Sequence, residues 1–311
     1  MRICVLGCGA VGSLFAANLA RLEDVEVWAY DLSQQHVDAI NANGLRLTGA
    51  DEVVGHVRAT TDAAALPACD FGIVATKAMH TESAIAATAH AFSDGAVASV
   101  QNGVGNEEVI ARRVARVIRG TTFPAGKIIE PGVVQWDVKG DTTLGPFEPS
   151  PARADEIERL ADACTRGGMP TAAVADARPA QWRKVIFNAA TNPVGALTGL
   201  THGRVCERPD LRALVSALVG EGKAVATAQG ITLDADPEEL IDHAARHDVA
   251  YDHKASMLQD VEARRQTEID FLNGGIGRFG RELGVPTPLN DAVTQLVKAL
   301  EDSWTSRSPG R

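Results

Sequence analysis

Lys184, Asn188 and Asn192 recur every fourth residue in the run Trp182-Arg183-Lys184-Val185-Ile186-Phe187-Asn188-Ala189-Ala190-Thr191-Asn192-Pro193. If the run is helical, all three fall on one face. The positions between them are mostly Val, Ile, Phe and Ala, so the stripe is one ammonium and two amides set in an apolar helix. Polar groups are costly in such a place unless they are satisfied, and a small polar ligand would satisfy them. The alternative is a solvated face that carries a lysine. Spacing alone does not separate the two.

A second constellation stands at the start of the chain. The apolar run Ile3 to Leu6 leads into Gly7-Cys8-Gly9-Ala10-Val11-Gly12, and helical periodicity follows from Val11 to Leu22. A G-x-G-x-x-G motif carries weight only in this strand–turn–helix context. Gly7 permits the tight turn, Gly9 lets the backbone approach a pyrophosphate, and Gly12 allows close helix–strand packing. The helix N-terminus then offers free N–H groups to the phosphates. The binding loop is therefore expected to comprise Gly7, Cys8, Gly9, Ala10, Val11 and Gly12. Asp31 ends the next apolar run about twenty residues on, where a carboxylate can accept hydrogen bonds from an adenosine ribose. It would repel a 2′-phosphate. Capping of the following helix is the other role open to it.

A third segment reads Ser256-Met257-Leu258-Gln259-Asp260, followed by Thr267-Glu268-Ile269-Asp270 and Asn273-Gly274. Together and in this order, the glycine loop, the lysine helix and this segment resemble the ketopantoate reductase (2-dehydropantoate 2-reductase) family, from about residue 1 to about residue 300. The glycine motif is shared with many oxidoreductases, whereas the other two pieces are far more specific. The resemblance implies hydride transfer from NADPH or NADH to a small 2-oxo acid, making pantoate for pantothenate synthesis. It gives Lys184 the role of proton donor and puts Glu268 by the substrate hydroxyl and the nicotinamide. It also implies Lys77 near the ribose or phosphates, Asn102 near the nicotinamide ribose and the substrate, and Gly126 beside the cofactor. Asn188, Asn192 and Ser256 match its substrate-binding positions. The chain departs from the family twice. Asp31-Leu32-Ser33 holds no basic residue for a 2′-phosphate, which favours NADH. His202-Gly203 stands where the family often has Asn-Gly, so His202 is expected near the substrate and its identity bears on which 2-oxo acid fits.

These residues need elements to hold them. The first half alternates strands and helices: strand Val25 to Tyr30, helix Ser33 to Ala42, strand Phe71 to Ala75, helix Thr81 to Phe92 and strand Ala96 to Val100. This alternation implies a parallel sheet with helices on both faces. Val117 to Leu144 reads as a strand meander turning at Pro131-Gly132, Ala152 to Arg166 as a helix, and Thr171 to Ala175 as a last strand. From Pro179 helical periodicity dominates, with breaks expected at Pro193, Pro209, Pro237 and Pro286-Thr287-Pro288. The fold expected is α/β: a Rossmann-type dinucleotide-binding domain over residues 1–178, then an all-α substrate domain over residues 179–311 that contains Glu268 at the start of a helix. The polar tail from Ser303 is expected to fray.

Bulk properties set the remaining bounds. At 311 residues two domains are natural. A net charge of −10 argues against nucleic acid and anionic membranes as partners. The five cysteines (Cys4, Cys8, Cys69, Cys164, Cys206) are dispersed and none has zinc-site spacing, which fits buried thiols in a reducing cytoplasm. The first strand begins at residue 2 and no stretch is apolar enough to span a bilayer, so a cytoplasmic enzyme is expected. His243 and His247 have helical zinc spacing. No Glu follows His243, however, and the implied reaction needs no metal, so none is expected. A homodimer is compatible with everything above. Two other readings remain: an NADH-dependent enzyme of another 2-oxo acid or 2-hydroxy acid on the same fold, and a non-catalytic dinucleotide sensor. Lys184 and Glu268 together argue against the sensor.

Overall fold

The computed structural model describes residues 1–305. The chain divides into two compact units. One comprises Met1–Gln101 and Gly105–Ala177; the other comprises Asn102–Val104 and the chain from Arg178 onward.

The first unit holds strands β1 (Arg2–Leu6), β2 (Glu26–Tyr30), β3 (Leu45–Gly49), β4 (Val53–Gly55), β5 (Arg58–Thr60), β6 (Phe71–Val74), β7 (Ala96–Ser99), β8 (Val117–Thr122), β9 (Ala125–Glu130), β10 (Val133–Val138), β11 (Thr142–Pro146) and β12 (Thr171–Ala173). Its helices are α1 (Ala10–Leu19), α2 (Gln34–Asn43), α3 (Thr81–Thr88), α4 (Asn106–Ala111) and α5 (Ala154–Gly167). The large sheet runs β12-β11-β8-β7-β6-β1-β2-β5. Its six strands from β8 to β5 are parallel, and β11 joins β8 antiparallel. The central strands read as unbroken apolar runs because both faces are covered: Ile3, Cys4, Val5 and Leu6 are all fully buried.

Part of this unit departs from expectation. No strand is expected between Leu45 and Thr60, yet this segment forms β3, β4 and β5. The Val117 to Leu144 meander is divided between two sheets, with β8 and β11 in the large one and β9 and β10 in a second sheet of order β4-β3-β10-β9. Helix α1 packs on both sheets. That explains why Leu14 to Leu19 are buried all round rather than along one stripe.

The second unit is helical: α6 (Arg178–Thr198), α7 (His202–Cys206), α8 (Pro209–Ala228), α9 (Pro237–Ala244), α10 (Ser256–Glu262), α11 (Asn273–Leu283) and α12 (Pro288–Thr305). Its core is its own, built on Trp182, Ile186, Leu218, Val225, Ile276 and Val297. Pro209, Pro237 and Pro288 each open a helix, where the missing N–H costs nothing. Pro193 does not break the chain as expected: α6 runs straight through it. Helix α12 continues to Thr305, so the start of the expected frayed tail is helical, and residues 306–311 lie outside the described part. Among the described residues no helix is long and apolar enough to cross a membrane.

Candidate active site

In the first unit the glycine loop stands where β1 turns into α1. Gly7 has φ of +86°, and its N–H donates to the Tyr30 carbonyl at 2.8 Å. A side chain there would meet the Thr76 backbone at 2.9 Å. A Cβ at Gly12 would collide with the Gly7 carbonyl oxygen, so helix and turn touch. Gly9 differs: nothing lies within 4 Å of where its Cβ would stand. It caps α1 with no side-chain hydrogen bond, and the first turn carries no acidic residue. The helix N-terminus therefore presents backbone N–H groups to open space, which is what a pyrophosphate requires. Cys8 is buried, while Ala10 and Val11 are half-buried.

Asp31 directly follows β2, beside this loop. Its Oδ2 accepts the Cys8 N–H at 2.8 Å, and its Oδ1 accepts the Ser33 N–H at 2.8 Å. The cap of α2 is Ser33, whose hydroxyl accepts from His36 N–H. Asp31 is thus a brace between the glycine loop and the start of α2. Burial, with the neighbouring Asp31 charge, pushes the Cys8 thiol up to about 12. Leu32 is exposed.

Two further loops leave the same edge of the sheet, the carboxyl ends of β6 and β7. Thr76 and Lys77 follow β6, and Lys77 is half-buried. Gln101 follows β7 and is buried. Its amide donates to the Thr76 carbonyl at 3.0 Å and to the Thr81 hydroxyl at 2.8 Å, tying the two loops together. Sequence reasoning gave Gln101 no role. Its only signal is a polar residue placed just after a short, mostly apolar strand. Carboxyl ends of parallel strands are where ligands bind in open α/β sheets. Gly126 lies in β9, where a Cβ would strike the Gln135 carbonyl oxygen of β10, so close strand pairing already accounts for that glycine.

In the helical unit Lys184, Asn102 and Glu268 form a chain. The Lys184 ammonium donates to Asn102 Oδ1 at 2.9 Å, and Asn102 Nδ2 donates to Glu268 Oε2 at 3.2 Å. The segment carrying Asn102 is fixed by the Val104 N–H on the Phe271 carbonyl at 3.0 Å. Burial lowers Lys184 to about 8, against the opposing pull of the Glu268 charge. Glu268 is buried in a turn rather than at a helix start: its carbonyl accepts from Phe271 and Leu272, and α11 begins only at Asn273. The approach to this turn is pinned by Arg265, which bonds Asp260 through Nε at 3.2 Å, and by the Thr267 N–H on Glu301 at 2.8 Å. No spacing in the sequence announces these ties.

Asn188 and Asn192 follow Lys184 along α6. Asn192 is buried and accepts a long bond from the Thr191 hydroxyl at 3.4 Å. Asn188 is half-buried. Ser256 is exposed at the first turn of α10. His202 opens α7 with its ring buried. Nε2 lies 3.1 Å from the Ile241 carbonyl and the ring stacks on Phe187 at 5.5 Å. Burial lowers its pKa, so the imidazole is neutral near pH 7 and its Nε2–H is committed to backbone. Among the described residues no group of three or more His, Cys, Asp or Glu side chains is placed to hold a metal ion. His247 instead stacks on Tyr251 at 3.8 Å.

Comparison with known proteins follows the same lines. Residues 3–149 match the family described as Ketopantoate reductase PanE/ApbA, and residues 176–301 match Ketopantoate reductase PanE/ApbA C terminal. A 2-dehydropantoate 2-reductase of Pyrococcus horikoshii is 34% identical over 304 residues, spanning 97% of this chain and 98% of that protein. Among solved structures, a PanE/ApbA family ketopantoate reductase from Ralstonia eutropha JMP134 superposes with a TM-score of 0.88 at 31% identity, covering 98% of this chain and all of that one. A D-mandelate dehydrogenase solved with NADH and anilino(oxo)acetate gives 0.89 at 28% identity, with the same coverage. With a family match over each half and full-length relatives above 30% identity, this chain belongs to the ketopantoate reductase family.

Proposed function

We propose that this protein reduces 2-dehydropantoate to pantoate, with hydride from a nicotinamide dinucleotide. The observation that carries the proposal is the hydrogen-bonded chain Lys184–Asn102–Glu268, with its lysine lowered to about 8.

A reduced nicotinamide, when bound, supplies the hydride to C2 of the substrate. The loop from Gly7 to Gly12 suits its pyrophosphate, since the Cβ space at Gly9 is open and the α1 N-terminus is uncapped by side chains. Lys184 then does the acid chemistry. Its ammonium lies against the ketone oxygen, stabilises the negative charge as it develops, and gives that oxygen a proton. C2 gains hydrogen, the oxygen gains the proton, and Lys184 is left neutral. A lysine near 8 is mostly charged at neutral pH yet releases its proton far more readily than one at 10.5. Asn102 accepts from Lys184 and donates to Glu268, so its amide has one orientation. Glu268 holds that amide, and its charge keeps Lys184 protonated. Asn188, Asn192 and Ser256 supply neutral donors for the carboxylate and hydroxyl of the substrate.

NADH is the preferred cofactor in this reading. The Asp31 carboxylate sits at the glycine loop, and positions 31–33 carry no basic residue to meet a 2′-phosphate. A second reading, NADH-dependent reduction of a different 2-oxo acid, is favoured by His202 packed on Phe187 beside the Asn188 turn. Following NADH and NADPH oxidation at 340 nm across a panel of ketopantoate, branched and aromatic 2-oxo acids decides between them. Ketopantoate should give the highest kcat/KM. An aromatic acid ahead by tenfold selects the second reading, and turnover of none rejects both.

A further inference from the structure

Pro193 sits inside α6 and has no N–H, so the carbonyl one turn earlier, that of Ala189, loses its helical donor. Ala189 is 1% exposed, which keeps water from replacing that donor. The structure fills the gap with a side chain: Asn273 Nδ2 donates to the Ala189 carbonyl at 2.8 Å. Asn273 is fully buried and held in turn. Its Nδ2 also donates to Asn290 Oδ1 at 3.0 Å, and Asn290 Nδ2 donates to Glu221 Oε2 at 2.7 Å. The Glu221 carboxylate accepts the backbone N–H groups of Leu289 and Asn290, both at 2.9 Å. Those are first-turn amides of α12, where the helix dipole favours a negative charge. The residues flanking the rescued hydrogen bond are Asn188 and Asn192, which directly precede Ala189 and Pro193.

We propose that Asn273 is a positioning residue for the 2-oxo acid: by replacing the hydrogen bond that Pro193 removes, it fixes the turn of α6 that presents Asn188 and Asn192. This rests on the reading of those two asparagines as substrate-binding. Lys184 lies a turn earlier and has its own tie to Asn102. Loss of the Asn273 bond should therefore act on substrate binding more than on the proton transfer.

The test is a double-mutant cycle in the full-length protein, using Asn273→Leu, Pro193→Ala and the pair. Asn273→Leu should raise the KM for the 2-oxo acid about tenfold, with kcat within about threefold and NADH affinity by fluorescence titration unchanged. Pro193→Ala returns a backbone donor to Ala189, so in that background Asn273→Leu should raise KM by less than about threefold. An equal rise in both backgrounds, or no rise in either, overturns the proposal. Should Asn273→Leu alone fail to fold, recovery of folding in the pair supports the compensation and continued failure rejects it. Should the unmutated protein reduce no 2-oxo acid, the functional reading falls first. The Tm values of the four proteins then decide the hydrogen bond: non-additive losses support it and additive losses overturn it.

Discussion

Burial and the Glu268 carboxylate act on the Lys184 ammonium in opposite directions, and burial wins. The sign of the pH dependence follows. The proposed reduction needs the protonated lysine, so kcat/KM should fall as pH rises through about 8. Glu268→Gln removes the charge that holds the pKa up, and should move this falling limb to lower pH. Lys184→Ala should lower kcat by about two to four powers of ten and leave NADH affinity intact. A pH–rate profile for the three proteins checks all of this, and a limb that stays put in Glu268→Gln would remove the coupling. At Asp31 the carboxylate has structural work beside the ribose contact proposed for it, since it accepts from Cys8 and Ser33. Asp31→Asn with Leu32→Arg keeps the size of the side chain while removing its charge. The ratio of kcat/KM for NADH over NADPH should drop at least tenfold. Strong NADPH preference in the unmutated protein would show that Asp31 serves the loop alone.

At the scale of elements, the two glycines of the loop should fail differently. Gly12→Ala sets a methyl against the Gly7 carbonyl and should cost about 1–3 kcal/mol of stability as α1 is pushed from β1. Gly9→Ala has open space and an extended backbone with a negative φ of −62°, so Tm should hold while dinucleotide affinity is lost. Thermal melts with and without NADH separate the cases, and equal melting losses would sink the distinction. Much of this loop was legible in the sequence, because strand, turn and helix are contiguous and each has its own local signal. The helices carrying Lys184 and the Ala154–Gly167 stretch were legible for the same reason. Strands β3, β4 and β5 were not. They are three to five residues long, β4 pairs with β3, and β3 owes its other partner to β10, far along the chain. Pro193 reads as a break because the rule against internal proline assumes that no other group serves the freed carbonyl. Asn273, which serves it, lies 84 residues away. The helical spacing of Phe271, Leu272 and Ile276 implies a helix starting at Glu268, while the turn from Glu268 to Leu272 delays the helix until Asn273.

For the whole molecule, each unit closes its own apolar core. Leu218 is 1% exposed in the helical core, and Leu218→Ala should cost that core about 2–5 kcal/mol. Hydrogen exchange should then quicken in α6 and α8 and hold its rate in β1, β6 and β7. Uniform quickening across both units would mean that they open as one. The division between units also has a consequence for anyone who would cut or recombine the chain. Asn102–Val104 belongs to the helical unit although the chain on either side of it belongs to the other. A fragment starting at Arg178 would carry Lys184 and Glu268 but not the amide that joins them. Chimeras that exchange halves between relatives at that point would inherit the acid from one parent and its orienting group from the other. Recombination is therefore constrained at three residues that lie far along the sequence from Arg178, and a transplanted helical half should work best when residues 102–104 travel with it.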